Sequence, residues 1–243
     1  MVDNKNSESA RPKGRDAQDK APVRALDILE TIAAQGPMTH SAIATATGVP
    51  KSTTTALLES LVSAGYLGRN PDRRFVLTGR ILRLAAAYLG GQSWPQALQP
   101  ILQTLSQESG ASAFLVGEDG ADIIVLARHL VAEGLTYALP IGARITTGST
   151  AGGMAILAFR PDAPTTPEYD AIRHGALAFA PGRQVPGVVS YALPLRQGTG
   201  RPTSSLAVAL PEALESSGTL ARVEAALRRA QQDAEALAGL RVP

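Results

Sequence analysis

Gly48-Val49-Pro50-Lys51-Ser52-Thr53-Thr54-Thr55-Ala56-Leu57-Leu58-Glu59-Ser60-Leu61-Val62-Ser63 is the stretch on which the fold turns. Glycine at 48 tolerates a left-handed turn and proline at 50 cannot continue a helix, so one helix must end here and another begin. Over residues 51–63, Thr54, Leu57, Leu58, Leu61 and Val62 recur at helical spacing and form a stripe to be buried. Ser52, Thr53, Ala56, Glu59 and Ser60 are left on the free face. Upstream, Thr39 can cap a short helix whose Ile43, Ala44 and Ala46 are spaced to face one core. Downstream, Gly65 ends the second helix, and residues 66–69 and 74–77 read as two short strands around the turn Asn70-Pro71-Asp72. Helix, tight turn, helix and ribbon make a winged helix-turn-helix, which presents one helix to a major groove.

Such shapes also occur in proteins that bind no DNA, and a hydroxyl-rich helix start is also simply a capped helix. Three features favour DNA. Hydroxyls at a helix N-terminus suit phosphates and some base edges, which singles out Ser52, Thr53 and Thr55 beside Lys51. The wing carries Arg69, Arg73 and Arg74, as a phosphate-gripping hairpin should. A basic stretch with Lys5, Arg11, Lys13, Arg15 and Lys20 lies just upstream.

The charge balance divides the chain of 243 residues in two. Through residue 90 there are twelve Lys/Arg against eight Asp/Glu; the remainder has eleven against thirteen. The positive excess therefore belongs to the first part. Zero Cys excludes a disulfide framework, thiolate metal sites and a Cys nucleophile. The polar N-terminus and the lack of a long apolar run predict a soluble, cytoplasmic protein with no membrane partner.

Residues 1–21 hold almost nothing to bury and are expected to form a disordered basic and polar tail. A helix over 23–35 with Leu26, Leu29, Ile32 and Ala33 inward opens a DNA-binding domain at 22–78. A helix over 80–89, ended by Gly90-Gly91, lies in a linker at 79–92. Because it is apolar on more than one side, it either buries a stripe in a second copy or packs within its own chain. Residues 93–243 read as mixed α and β: a helix over 97–109, a hairpin of strands 112–118 and 123–128, a strand at 136–139, and a helix from 149 or 150 to 159. Strands at 188–195 and 204–210 follow, then a helical region over 214–240 that Ser216-Ser217-Gly218 could interrupt. Hairpins with flanking helices and no βαβ rhythm predict an α+β, mostly antiparallel, sensor-like domain.

Arg24-Ala25-Leu26-Asp27-Ile28-Leu29, Gly48-Val49-Pro50-Lys51-Ser52-Thr53, Leu57-Leu58, Gly65-Tyr66 and Phe75-Val76-Leu77 resemble the DNA-binding half of IclR-type bacterial transcription regulators. Pro140-Ile141-Gly142, residues 150–158, Pro186-Gly187-Val188 and Ala192-Leu193-Pro194 continue the resemblance, which covers nearly the whole chain from residue 22. It implies a GAF-like effector domain, a homodimer or dimer of dimers, and repression or activation of catabolic genes on operator DNA in response to small organic acids. It also implies association with the nucleoid when operator-bound. Three departures stand out. Ala56 occupies a recognition-helix position where the family often has Arg, so base readout should lean on Ser52, Thr53 and Thr55. The stretch 159–185 is short, which predicts a reduced or more open lid over the effector pocket. Ala207 and Ala209 replace small polar residues on the last pocket strand, whereas Ser190 keeps a hydroxyl.

Gly148-Ser149-Thr150-Ala151-Gly152-Gly153 running into a helix leaves backbone N–H groups free at the positive end of a dipole, a seat for a carboxylate. The same glycines could instead serve only tight helix–sheet packing. Ile145, Val188, Ala207 and Ala209 would make the remaining wall apolar, predicting an effector with an acidic end and an apolar or aromatic body. Arg144 could pair with such an acid or stay solvated. His40, His129 and His174 have no partner in a recognisable catalytic motif, so no catalytic residue, metal or cofactor is expected.

Overall fold

The computed structural model describes residues 20–91, 94–131, 137–196 and 200–239. The chain divides into two compact units at Gly90/Gly91. The first contains α1 (Lys20–Gln35), α2 (His40–Thr47), α3 (Lys51–Ser63), β1 (Leu67–Arg69), β2 (Phe75–Leu77) and α4 (Gly79–Gly91). Its core gathers Ile28, Ile32, Met38, Ile43, Leu58, Leu61, Leu67 and Phe75. Met38 bridges Phe75 through two backbone hydrogen bonds, so the α1–α2 connection is stitched to the wing.

Several expectations shift here. Residues 1–19 of the expected tail lie outside the described residues, but Lys20 and Ala21 are already helical. The inward face of α1 is Ala25, Ile28, Leu29 and Ile32; Leu26 is 59% exposed and Ala33 is also exposed. Both stripes fit a 3.6-residue period, and the face chosen is the one that seats the bulky Ile28 in the core. Ala46 and Val62 also face outward, with Val49 buried beside Ile43 and Ala44. Rather than stopping before Gly90-Gly91, α4 runs through them.

The second unit contains α5 (Trp94–Ala97), α6 (Gln99–Ser109), β3 (Ser112–Asp119), β4 (Asp122–His129), β5 (Arg144–Thr146), α7 (Ala151–Leu157), α8 (Pro167–Arg173), β6 (Ala178–Pro181), β7 (Val188–Leu195), β8 (Ser204–Pro211) and α9 (Ser217–Gly239). Its sheet has the order β5-β4-β3-β8-β7-β6, every pair antiparallel. The expected single helix over 97–109 is broken at Leu98. Of the strand expected at 136–139, Thr136 lies outside the described residues and 137–139 form no strand; the Arg128 guanidinium donates to the Leu139 carbonyl in place of a ladder. Ser216 accepts from the Thr219 N–H at 3.1 Å, so the suspected interruption at 216–218 is instead the start of α9.

Strand β8 explains the two faces of the sheet. Leu206, Val208 and Leu210 point to one side, where α6 and α9 supply Leu102, Leu105, Val223 and Leu227 to a dense core. Ala207 and Ala209 point to the other, beneath α7 and α8. Period-two alternation of large and small residues thus fills one face and leaves the other short of side-chain volume.

Candidate nucleic-acid interface and effector pocket

The turn before α3 is closed from inside. Gly48 takes the left-handed conformation at φ 67°, and the buried Thr54 hydroxyl donates toward the carbonyls of Val49 (3.2 Å) and Pro50 (3.1 Å). Lys51, Ser52 and Thr55 are exposed and Thr53 half-buried. The Thr55 hydroxyl donates to the Lys51 carbonyl at 3.0 Å and lies 2.9 Å from His40 Nε2. Lys51 lies at the positive end of the α3 dipole, and the first turn holds no acid. This local electrostatic mismatch suits a phosphate partner.

At the wing tip, Asn70 Oδ1 accepts from the Arg74 N–H at 2.8 Å while the Arg73 N–H donates to the Asn70 carbonyl at 2.9 Å. Arg73 takes φ 59°, the one left-handed non-glycine among the described residues. Arg69 stacks over Phe75, 4.5 Å from the ring centroid. Arg69, Arg73 and Arg74 make no ion pair among the described residues, whereas Arg144, Arg160, Arg173, Arg201, Arg228 and Arg229 of the second unit are all paired with carboxylates. Left-handed backbone at a side-chain-bearing residue costs about 1 kcal/mol. Arg73→Gly is therefore expected to raise the stability of the first unit by about 0.5–1 kcal/mol in chemical denaturation while weakening DNA binding. A destabilised variant would refute the strained turn.

In the second unit a small cavity, partly open to solvent, lies between the sheet and α7. Ile145, Ser149, Thr150, Gly152, Val188, Ser190, Ala207 and Ala209 all line it. Ala151 does not: its side chain is fully buried and its N–H donates to Ser190 Oγ at 3.2 Å. Thr150 Oγ1 accepts from the Gly153 N–H at 3.2 Å. Two first-turn amides of the suspected carboxylate seat are thus already bonded within the chain. The glycines serve close packing: a Cβ on Gly152 would come within 2.9 Å of Val116, and one on Gly153 within 1.9 Å of the Thr147 carbonyl oxygen. The buried Ser205 hydroxyl pins the Gly152 carbonyl at 2.8 Å.

Arg144 is turned away from the cavity, bound to Asp119 at 2.7 Å and Asp122 at 3.5 Å across the β3–β4 turn. Every lining residue is uncharged. The turn after β6 still covers the cavity with Gln184 and Val185. Ser149 Oγ lies 2.8 Å from both the Thr146 carbonyl oxygen and Gln184 Oε1, two acceptors that share its single proton. Phe114, Val116, Tyr137 and Ala180 also line the cavity. Phe114 and Val116 carry the alternation of β3, a readable signal; Tyr137 sits in the irregular segment whose sequence suggests a strand.

A winged helix joined to a second unit that holds an apolar cavity is an arrangement that suits a transcriptional regulator. Residues 21–71 match the IclR helix-turn-helix domain model. The chain is 29% identical to the "Probable transcriptional regulator SauR" of Cupriavidus necator, over 79% of this chain and 86% of that protein. A solved transcriptional regulator from Rhodococcus sp. RHA1 is 27% identical with a TM-score of 0.72, covering 88% of this chain and 96% of that one. An IclR homologue from Microbacterium hydrocarbonoxydans, solved with 4-hydroxybenzoate, shares the fold at 20% identity and a TM-score of 0.71, over 89% of this chain and 99% of that one. Residues 21–71 thus carry an IclR-type helix-turn-helix domain, and over most of its length the chain is similar to IclR-type regulators; these likenesses support a DNA-binding transcriptional regulator with a GAF-like second unit rather than an enzyme. Among the described residues no helix is long and apolar enough to cross a membrane.

Proposed function

We propose that this regulator works in the cytoplasm as a homodimer or dimer of dimers, and that a small organic carboxylic acid with an apolar or aromatic body sets its affinity for double-stranded operator DNA. In this reading Ser52, Thr53 and Thr55 meet base edges. Lys51, Arg69, Arg73 and Arg74 meet phosphates. The acid occupies the cavity beneath α7. The observation that carries the effector reading is the apolar cavity floored by Ala207 and Ala209, with Ser149, Thr150 and Ser190 together on α7's approach and β7. The 4-hydroxybenzoate held by the Microbacterium homologue supports an aromatic acid. Exposed Val23 and Leu26 on α1, with Leu82, Leu84 and Tyr88 on α4, support burial against a second copy. The effector must bind the DNA-competent and DNA-incompetent arrangements unequally, because equal binding shifts nothing. The uncharged lining favours one competing reading, a neutral ligand.

The test is binding of the full chain to its own upstream intergenic DNA, titrated with aliphatic and aromatic carboxylates and their methyl esters. One acid is expected to change the apparent Kd by about 5- to 150-fold, with its ester inert. A response to the ester alone would establish the neutral reading, and indifference to every compound would discard the cavity as the effector site. Ala207→Phe is expected to abolish the response while sparing basal DNA binding; an unchanged dose curve would remove Ala207 from the site.

A further inference from the structure

Tyr137 lines the cavity beside Phe114, their rings edge-to-face at 6.3 Å between centroids and 63° between planes. Its hydroxyl is buried and has no hydrogen-bond partner among the described residues. An unpaired buried hydroxyl costs about 1–3 kcal/mol, and native proteins seldom leave one. Burial also pushes the phenol's pKa up, so at neutral pH it is a proton donor.

The sheet fixes where Phe114, the ring that Tyr137 packs against, stands relative to Ser190. Phe114 is on β3, opposite Ala207 of β8; Ser190 is on β7, opposite Ala209 of β8. The two strands are two spacings apart, about 10 Å, with a two-residue offset along the strands. The floor between them is Ala207 and Ala209, which offer no side-chain hydrogen bond. At the β7 side, the Ser190 hydroxyl accepts from the Ala151 N–H and keeps its own proton uncommitted among the described residues. Ser149 and Gln184 pair nearby across the cavity rim. The cavity thus has an apolar middle, with Ser190 on the β7 side and the Phe114–Tyr137 ring pair on the β3 side.

We propose that Tyr137 is a specificity-determining residue: its phenol donates a hydrogen bond to an oxygen at the end of the effector remote from Ser190, so the effector is a compact apolar body with polar groups at both ends. This deepens the acid reading above and rests on it. One polar end is the carboxylate near Ser190, and the other is a hydroxyl or carbonyl oxygen on the far side of the ring or chain. An acid lacking that oxygen leaves the Tyr137 hydroxyl buried and unpaired, and is rejected for that reason rather than by size.

The test uses the full-length chain, Tyr137→Phe, and two probes, benzoate and 4-hydroxybenzoate, in calorimetric titrations. The wild type is expected to favour 4-hydroxybenzoate by about ten-fold, the size of one well-made buried hydrogen bond. Tyr137→Phe keeps the ring contact with Phe114 and is expected to bring that preference below about two-fold, with benzoate bound as tightly as before or more so. The ligand-free variant should melt at the wild-type temperature or above it, because an unsatisfied hydroxyl has been removed. A preference that survives Tyr137→Phe overturns the proposal. So does a ligand-free variant that melts several degrees lower, since the hydroxyl would then already have a partner within the protein. Equal binding of both probes by the wild type overturns this inference and leaves the acid reading standing; binding of neither overturns both.

Discussion

Gly153→Ala is expected to destabilise the second unit by about 4 kcal/mol or more and lower its melting temperature by about 10 °C. The added methyl carbon would sit 1.9 Å from the Thr147 carbonyl oxygen and 2.7 Å from its carbon, both backbone atoms. Flexible side chains can swing aside from such a clash, but this turn cannot. Thr147 is buried and its hydroxyl is bonded to the Ala121 carbonyl in the β3–β4 turn, so moving it pulls on the hairpin. The alternative is for α7 to lift, which would expose Met154, Ala155 and Ile156, all fully buried now. Either route disrupts the cavity wall at Thr150 and Gly152, so effector binding should fail together with the fold. Gly148→Ala is the matched control: nothing lies within 4 Å of its added carbon, and the expected change is within about 0.5 kcal/mol. Equal melting temperatures for the two variants would mean that α7 does not seat on the Thr147 turn.

These neighbours also show which parts of the fold were legible in the sequence. Glycine 48 and proline 50 punctuate the chain so strongly that α2, the turn and α3 could be placed from local chemistry. The hairpin β3–β4 was equally plain, because Gly120 at φ 63° sits in a two-residue turn between apolar runs. The rotation of α1 was not: Leu26 and Ile28 both belong to acceptable apolar stripes, and only the shape of the surrounding core selects one. Strands β5 and β6 are three and four residues long, too short to show a period. The start of α8 did carry a signal, Pro167 at the first helical position with acids in its first turn. In the cavity, the glycine-rich approach and the alanines of β8 could be named from the sequence. Their company could not, because Tyr137 and Gln184 enter from irregular segments. Arg144 was ambiguous for a similar reason: its two acid partners, Asp119 and Asp122, flank a turn more than twenty residues away.

The largest functional effect is expected from Arg73→Ala/Arg74→Ala. Both side chains are exposed at the wing tip, with no ion pair in the described chain to compete for them. If each grips one phosphate, a dimer loses four contacts, and the slope of log affinity against log salt should become shallower by about 3.6. At 0.15 M salt that corresponds to about a thousand-fold weaker binding, shrinking toward no difference as salt approaches 1 M. The loss should be the same on operator and on unrelated duplex, because phosphates carry no sequence information. Thr53→Ala supplies the contrast: a recognition-helix contact to a base edge should change operator preference with the salt slope intact. Folding is not at risk in the double variant, since Arg74 contributes only a long 3.5 Å contact to the Pro37 carbonyl and alanine keeps the Asn70 turn bonded through its backbone. A salt slope identical to that of the wild type would mean that the wing does not touch phosphate. The strained left-handed backbone at Arg73 would then need another reason, because glycine would hold the same turn at lower cost.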